Sequence, residues 1–422
     1  MILLDNARIV QSDGQCVDGF VCINGSYITQ VGVSGARLPD DLQSYERIDL
    51  QHNLLIPGLV NAHTHSAMTL FAGASDDLAL KEWLFDKIFP LEAKLTPEDV
   101  YWASKLAGLE YLSCGTTTVF DMYFHSTETM RALNEMGVRT VLCGSLNDFG
   151  GNVKDFDDAF QKYGDSAESL AGFRAGIHAE YTTSLEMIRE VARYVQAHEK
   201  PFFTHCSETQ KEVQECIDKY GKSPVRLFTD EGLFEHGGGI FHGVHLDNAD
   251  REALHRHGVG VVTCPSSNLK LASGICEVQK LLDAGVRVGM GTDGPASNNA
   301  LSMQREMFLA SVLQKNLLQD TTVLPAQKTL EIATSSSAEI IGVNSGSITP
   351  GKLADLCVVK LDAPNMILNS PVNNLVYSSD KHDILMTIVA GKVLYKAGEY
   401  MIPDDVDEIY RNCRKIHQRI MV

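Results

Sequence analysis

The sequence predicts an α/β fold: a parallel (β/α)8 TIM barrel with a small β-sandwich domain built from both chain termini. Three observations lead there. Between residues 56 and 347, eight apolar strand-like runs alternate with amphipathic helical stretches, the rhythm of a parallel sheet covered by helices. Both chain ends read instead as short alternating strands with Gly and Asn at the turns, which flanks the middle with a second, β-rich unit. Finally, the first strand of the middle is not followed by the glycine-rich phosphate turn that a doubly wound open sheet would carry.

The N-terminal strands are "LLDNARIV", "GFVCING" and "YITQVG", and the texture returns in "ADLCVVKL" and "MTIVAGKVLYKAG". The division is therefore residues 1–55 with 348–422 for the composite sandwich, and 56–347 for the barrel. The barrel strands are, in order, "LLIPGLVNA", "TTTVFDMY", "RTVLCGSL", "FRAGIHAE", "PFFTHC", "GIFHGVHL", "VGVVTCP" and "VRVGMGTD". Apolar residues at helical spacing mark "PEDVYWASKLAGLEYLSCG" and "SLEMIREVARYVQAHEK" as two of the intervening helices.

A chain of 422 residues accommodates a barrel plus an appendage. With 44% hydrophobic and 21% charged residues it has the composition of a soluble globular protein. No run approaches the roughly 18–20 apolar residues that a membrane span requires. The start, "MILLDNARIVQSDGQ", shows neither a basic leader nor a cleavage site. Ten cysteines form no C-x-x-C pair, and several sit in apolar runs, so reduced, buried thiols in a cytoplasmic protein are expected. The formal charge of −18 argues against nucleic acid or an anionic membrane as partner. The bulk of that charge serves solubility. A small neutral or cationic substrate, or a metal ion, suits the field.

The chemistry gathers at strand ends. The first barrel strand finishes in His63 and His65, the fourth in His178 and the fifth in His205; the sixth carries His242 and the eighth ends in Asp293. Residues two apart on a strand share a face, and barrel strand ends converge on one mouth. A lone strand-end histidine is usually a hydrogen-bonded core residue. Several imidazoles converging with a carboxylate are instead the ligand chemistry zinc favours, with a position left open for water.

The motifs "NAHTHSAMTL", "THCSET", "FHGVHL" and "GTDGPASNN" resemble the amidohydrolase superfamily, and in particular its one-metal cytosine/adenosine-type deaminases. Through "DDLALKEWLFDKIFPLEAKL" and "SNLKLASGI" the chain is similar to the branch of 5′-methylthioadenosine/S-adenosylhomocysteine deaminases. The resemblance spans essentially the whole chain. It implies one divalent metal ion, zinc first with iron or manganese compatible, held by His63, His65, His205 and Asp293. Such an ion lowers the pKa of its water from 15.7 towards about 7.

By the same resemblance Glu208 is the proton shuttle between water and a ring nitrogen, His242 polarises the attacking hydroxide, and Asp293 takes up a proton. "SETQ", Ser207 to Gln210, also reads as a helix capping box that would give Glu208 a purely structural place. His245, three residues beyond His242, is expected to be structural. For substrate binding, the resemblance implies Glu92 on the ribose hydroxyls, together with His178 and Glu208. Trp83 would stack on a base or serve the core.

Two departures from that branch bear on specificity. Relatives that accept the homocysteine tail tend to carry arginine after strand three, whereas "LCGSLNDFGGNVKDFDD" offers only Lys154. Burying a carboxylate there without a cation would be costly. Cys264 in "TCPSSN" replaces the branch's usual histidine and is shared with guanine-type relatives. The expected activity is thus hydrolytic deamination of an adenine nucleoside (5′-methylthioadenosine, 5′-deoxyadenosine, adenosine or S-adenosylhomocysteine). The alternative is a free amino-heterocycle such as guanine, 8-oxoguanine or a triazine. A non-catalytic binding protein on this scaffold would be expected to have lost ligands, and a homo-oligomer is a family-level expectation.

Overall fold

The run Leu54–Ala62, read above as a single strand, is divided at Gly58 between two sheets. In the computed structural model, which describes residues 1–422 except 37, 39–41, 75, 79–81, 166–168 and 422, β1 (Ile2–Val10), β2 (Cys16–Asn24), β3 (Tyr27–Val33), β4 (Glu46–Asp49) and β5 (Leu54–Pro57) are N-terminal. The next strand, β6 (Leu59–Thr64), already belongs to the barrel. Gly58 makes this transfer sterically possible. A Cβ there would stand 2.2 Å from Thr117 Oγ1, while its N–H donates to Asp355 O at 2.9 Å.

The terminal strands form one mixed nine-stranded sheet with β14 (Leu356–Val359), β15 (Ile384–Val389), β16 (Lys392–Lys396) and β17 (Glu399–Tyr400). Strand β1 forks it: Ile2–Asp5 pairs with β4 and Arg8–Ile9 with β5, both parallel. The register against β2 shifts between Leu4 and Ala7, where Asn6 adopts φ 51°. Such a bulge bends its strand. Leu4, Ile9, Val21, Leu55, Leu356 and Ile388 fill the core that the forked sheet encloses.

The barrel continues with β7 (Thr116–Asp121), β8 (Arg139–Cys143), β9 (Ala171–Gly176), β10 (Phe202–Cys206), β11 (Gly238–His242), β12 (Val259–Thr263) and β13 (Val288–Met290). All eight expected strands are present, in sequential order β6 to β13 and paired in parallel. Its interior is packed with Val60, Phe120, Val141, Phe203, Phe241 and Val262, and each fully buried side chain of this size contributes about 1.5–3 kcal/mol. Ile340 seals the floor: a Cβ on Gly239, Gly260 or Gly289 would run into it at 3.2 Å or less.

The two expected helices lie at Pro97–Ser113, opened by a Thr96/Asp99 capping box, and at Leu185–Ala197, capped by Ser184. The C-terminal helix Val406–Ile420 returns to the barrel side, where Lys94 Nζ donates to Ile420 O at 2.8 Å. All ten cysteines are free thiols and nine are buried. Among the described residues no helix is long and apolar enough to cross a membrane.

Candidate metal and active site

The barrel closes at the site itself. Between β13 and β6 the contact is a single parallel bridge, Thr64 to Asp293, supported by Asp293 N–H donating to His63 O at 3.0 Å. Asn61 completes the seam, its amide bonding Thr292 Oγ1 at 2.7 Å and accepting the Thr292 N–H at 3.0 Å. Strand alternation then aims His63 and His65 into the mouth.

His63, His65, His205 and Asp293 come together, all buried, with one ligand atom from each lying within 4.8 Å of the others. The ring partners decide the tautomers. His65 Nδ1–H donates to Met122 O, and His205 Nδ1–H donates to His178 O at 2.7 Å. In the neutral rings that bind a metal, each Nε2 is therefore a lone pair, and the two face one another at 3.4 Å. Asp293 Oδ1 stands 3.1 Å from His65 Nε2 and 3.4 Å from His63 Nε2. His63 stacks on Phe241 at 3.8 Å, and both its ring nitrogens are buried without a hydrogen-bond partner. Converging lone pairs around an orphaned imidazole are repulsive unless a cation lies between them. The donor set fits a divalent metal ion.

Asp293 is held from behind, Oδ2 accepting from Ser267 Oγ at 2.6 Å and Ser297 Oγ at 2.8 Å. Its φ is 58° and that of His242 is 71°, left-handed conformations that non-glycine residues keep only where the surroundings enforce them. His242 Nδ1–H donates to Asn268 Oδ1 at 2.8 Å, which leaves its Nε2 facing Glu208 Oε2 at 3.8 Å. Glu208 is 6% exposed, with Oε1 accepting from Ser273 Oγ at 3.1 Å. Burial lifts its carboxyl above the ordinary range, against the pull of His242.

The capping box read at Ser207–Gln210 lies two residues further on. Thr209 caps the helix Gln210–Tyr220 and Glu212 reciprocates. Glu208 precedes the helix and is free of that structural duty.

One cleft contains Trp83, Glu92, His178, Glu208, His242 and Asp293 in its lining. Glu92 Oε1 accepts from Tyr123 OH at 2.7 Å; burial pushes its carboxyl up to about 7, with the Tyr123 bond opposing. His178 donates Nδ1–H to Thr182 Oγ1 at 2.9 Å, and burial pushes its ring down to about 4, so it is neutral. Trp83 is buried in the wall. His245 donates to Ser273 O at 2.7 Å and lies outside the lining, as does the buried Cys264. Lys154 is exposed at the start of the helix Lys154–Tyr163. Its loop instead presents Asn147 and Phe149 to the cleft, Phe149 being 78% exposed at the rim.

Tyr123, Ser267, Asn268, Ser273 and Ser297 were not legible as site residues. Four of the five lie inside "SNLKLASGI" and "GTDGPASNN", but hydroxyls and amides in loops carry no periodicity that marks them.

A barrel whose strand ends gather three imidazoles and a carboxylate around one point defines the class of metal-dependent barrel hydrolases. Residues 54–394 match the Amidohydrolase family, and the chain belongs to that family. It is 38% identical over 430 residues, covering 100% of this chain and 99% of the relative, to the 5-methylthioadenosine/S-adenosylhomocysteine deaminase of Desulforudis audaxviator. Among solved structures it is similar to an adenosine deaminase from Xanthomonas campestris with bound zinc, with a TM-score of 0.92, 31% identity and coverage of 99% and 98%. A guanine deaminase from C. acetobutylicum shares the fold, with a TM-score of 0.83, 20% identity and coverage of 93% and 100%.

Proposed function

We propose that this chain is a metal-dependent hydrolytic deaminase of adenine nucleosides, favouring a short 5′ substituent over the homocysteine tail of S-adenosylhomocysteine. The observation that carries this reading is one buried carboxyl, Glu208, beside His242 in the cleft that holds the four-residue ligand cluster and Glu92. The names of the relatives supply the adenine-nucleoside class.

His63, His65, His205 and Asp293 would hold one divalent ion, zinc first, with iron or manganese compatible with the same donors. When bound, such an ion makes hydroxide available near neutral pH. Glu208 takes a proton from the water and delivers it to the ring nitrogen next to the amino-bearing carbon. That carbon becomes electrophilic, and the hydroxide oxygen bonds to it. His242, its tautomer fixed by Asn268, orients the oxygen through Nε2. Asp293, turned toward the cluster by Ser267 and Ser297, takes up the second water proton and returns it to the amino group. The carbon–nitrogen bond then breaks and ammonia leaves. Glu92 accepts the ribose hydroxyls, which gives oriented charge-assisted bonds, and His178 and Trp83 line the remainder.

The 5′ preference rests on what the cleft lacks. Among the described residues lining it there is no lysine or arginine, so a 5′-carboxylate seated beside Asn147 and Phe149 would find no counter-ion among them. Ammonia release from 5′-methylthioadenosine, 5′-deoxyadenosine, adenosine, S-adenosylhomocysteine and guanine tests the reading. Turnover of the first three above the homocysteine adduct is expected. Turnover of guanine with none of any adenosine derivative would overturn it in favour of a free amino-heterocycle.

A further inference from the structure

Glu212 is buried, 6% exposed, on the first turn of the helix Gln210–Tyr220, and does not line the cleft. Its carboxylate nevertheless collects the three consecutive backbone N–H groups that carry Glu208. Oε1 accepts from Ser207 at 2.6 Å, and Oε2 accepts from Glu208 at 2.8 Å and from Thr209 at 3.2 Å. Only the last of these belongs to the capping box. The other two reach beyond it into the turn.

The peptide gripped in this way is unusual. Ser207 is wholly buried with φ 55°, a left-handed conformation that serine rarely adopts. Its N–H points at Glu212, and its carbonyl accepts from Val244 N–H at 3.0 Å and His245 N–H at 2.9 Å. Gly243 N–H also donates to Cys206 O at 3.2 Å. The turn after β10, bearing Glu208, is thereby bolted to the turn that follows His242 at the end of β11. One carboxylate holds the bolt.

We propose that Glu212 is a positioning residue that sets the Glu208–His242 relationship: by fixing Ser207 in its left-handed conformation it fixes both turns at once. The proposal rests on the reading of Glu208 as the proton carrier. A glutamine at 212 keeps one accepting oxygen but turns an amide NH2 toward backbone donors, so at least one of the three bonds is lost and the turn relaxes.

The test is steady-state kinetics of E212Q, E208Q and the double variant in the metal-loaded full chain, with 5′-methylthioadenosine as substrate and metal content measured alongside. Displacement of a reacting group by an ångström costs about 100-fold in rate. E212Q is therefore expected to lose about that factor in kcat while KM and bound metal stay as in the wild type. In the E208Q background, E212Q is expected to cost markedly less in kcat than in the wild type, because it acts chiefly through Glu208. Should E212Q not fold, E212D serves in its place: it keeps the charge but is one methylene too short to span the turn, and the same non-additive loss is expected.

Unchanged kcat in folded E212Q, equal multiplicative losses in both backgrounds, or loss of metal in parallel with activity would each overturn the proposal and leave the deaminase reading standing. A wild-type chain inactive on every adenine nucleoside would overturn both.

Discussion

The N–H of Asp293 donates to the carbonyl of His63 at 3.0 Å, joining the eighth barrel strand end to the first. This bond closes the barrel, and the side chains of the same two residues face each other across the ligand cluster at 3.4 Å. Closure and metal site are thus one structure. The seam has a single bridging pair, Thr64 with Asp293, where the other neighbours share two to five, so an ion between these ligands would also brace the barrel.

Metal removal is therefore expected to lower stability as well as abolish ammonia release. A ligand bound only by the native state contributes about 2.7 kcal/mol when its free concentration is 100 times Kd. Calorimetry of chelated and zinc-reloaded protein should show a fall in Tm that reloading reverses. An identical Tm in both states would mean that the four residues hold no stabilising ion.

Ser267 and Ser297 are expected to tune the site without touching the ion. Both hydroxyls donate to Asp293 Oδ2, so Oδ1 is left to the cluster. Partners of this kind are worth about 10–100-fold in metal affinity. The S267A/S297A double variant should lose about that factor in a competition titration with a chromogenic chelator. Wild-type affinity in a folded double variant would show that the backbone of Asp293, with φ 58°, orients the carboxylate unaided.

How much of this was legible in the sequence follows from the physics of each signal. Strand alternation and the β-α rhythm are periodic, so all eight barrel strands and the histidines at their ends could be found from Leu54 onward. The break at Gly58 could not. Leu54–Val60 is apolar throughout because both of its halves are buried, one in each sheet, and hydrophobicity does not record which sheet a residue serves. The capping box was misplaced by two residues because "SETQ" and "TQKE" satisfy the same pattern, and the choice between them depends on tertiary contacts of Ser207. Tyr123 acts through one long-range side-chain bond and Glu212 through three bonds to the turn before its helix, which no spacing reveals.

Gly58 should be intolerant of even one methyl group. A Cβ there would come within 2.2 Å of Thr117 Oγ1 and 2.3 Å of its Cγ2, in a region with no free volume, since Leu59 and Thr117 are both wholly buried. Overpacking of this kind costs about 1–3 kcal/mol. G58A should show that loss in urea denaturation, and T117A should recover much of it by removing the atoms that clash. A destabilised G58A that T117A fails to rescue would place the strain elsewhere.

Glu92 makes the pH dependence specific. Burial raises its carboxyl to about 7 in the folded chain, with the Tyr123 hydroxyl pulling the other way. The unfolded chain has the ordinary value of 4.5. Between these limits the native state holds a proton that the unfolded state releases. The stabilising contribution is thus complete below pH 4.5 and is lost as pH rises through about 7. In E92Q, neutral at every pH, this part of the slope should vanish, so wild type and variant should diverge in Tm across that window. Binding has the opposite sign. An ionised Glu92 accepts ribose hydroxyls better than a protonated one, so KM for the nucleoside should fall as pH rises through about 7 and should be flat in E92Q. Y123F removes the bond that holds the carboxyl down, so it should move the wild-type limb to higher pH. A limb that stays in place in Y123F and persists in E92Q would belong to another group, and Glu92 would lose its place in substrate binding.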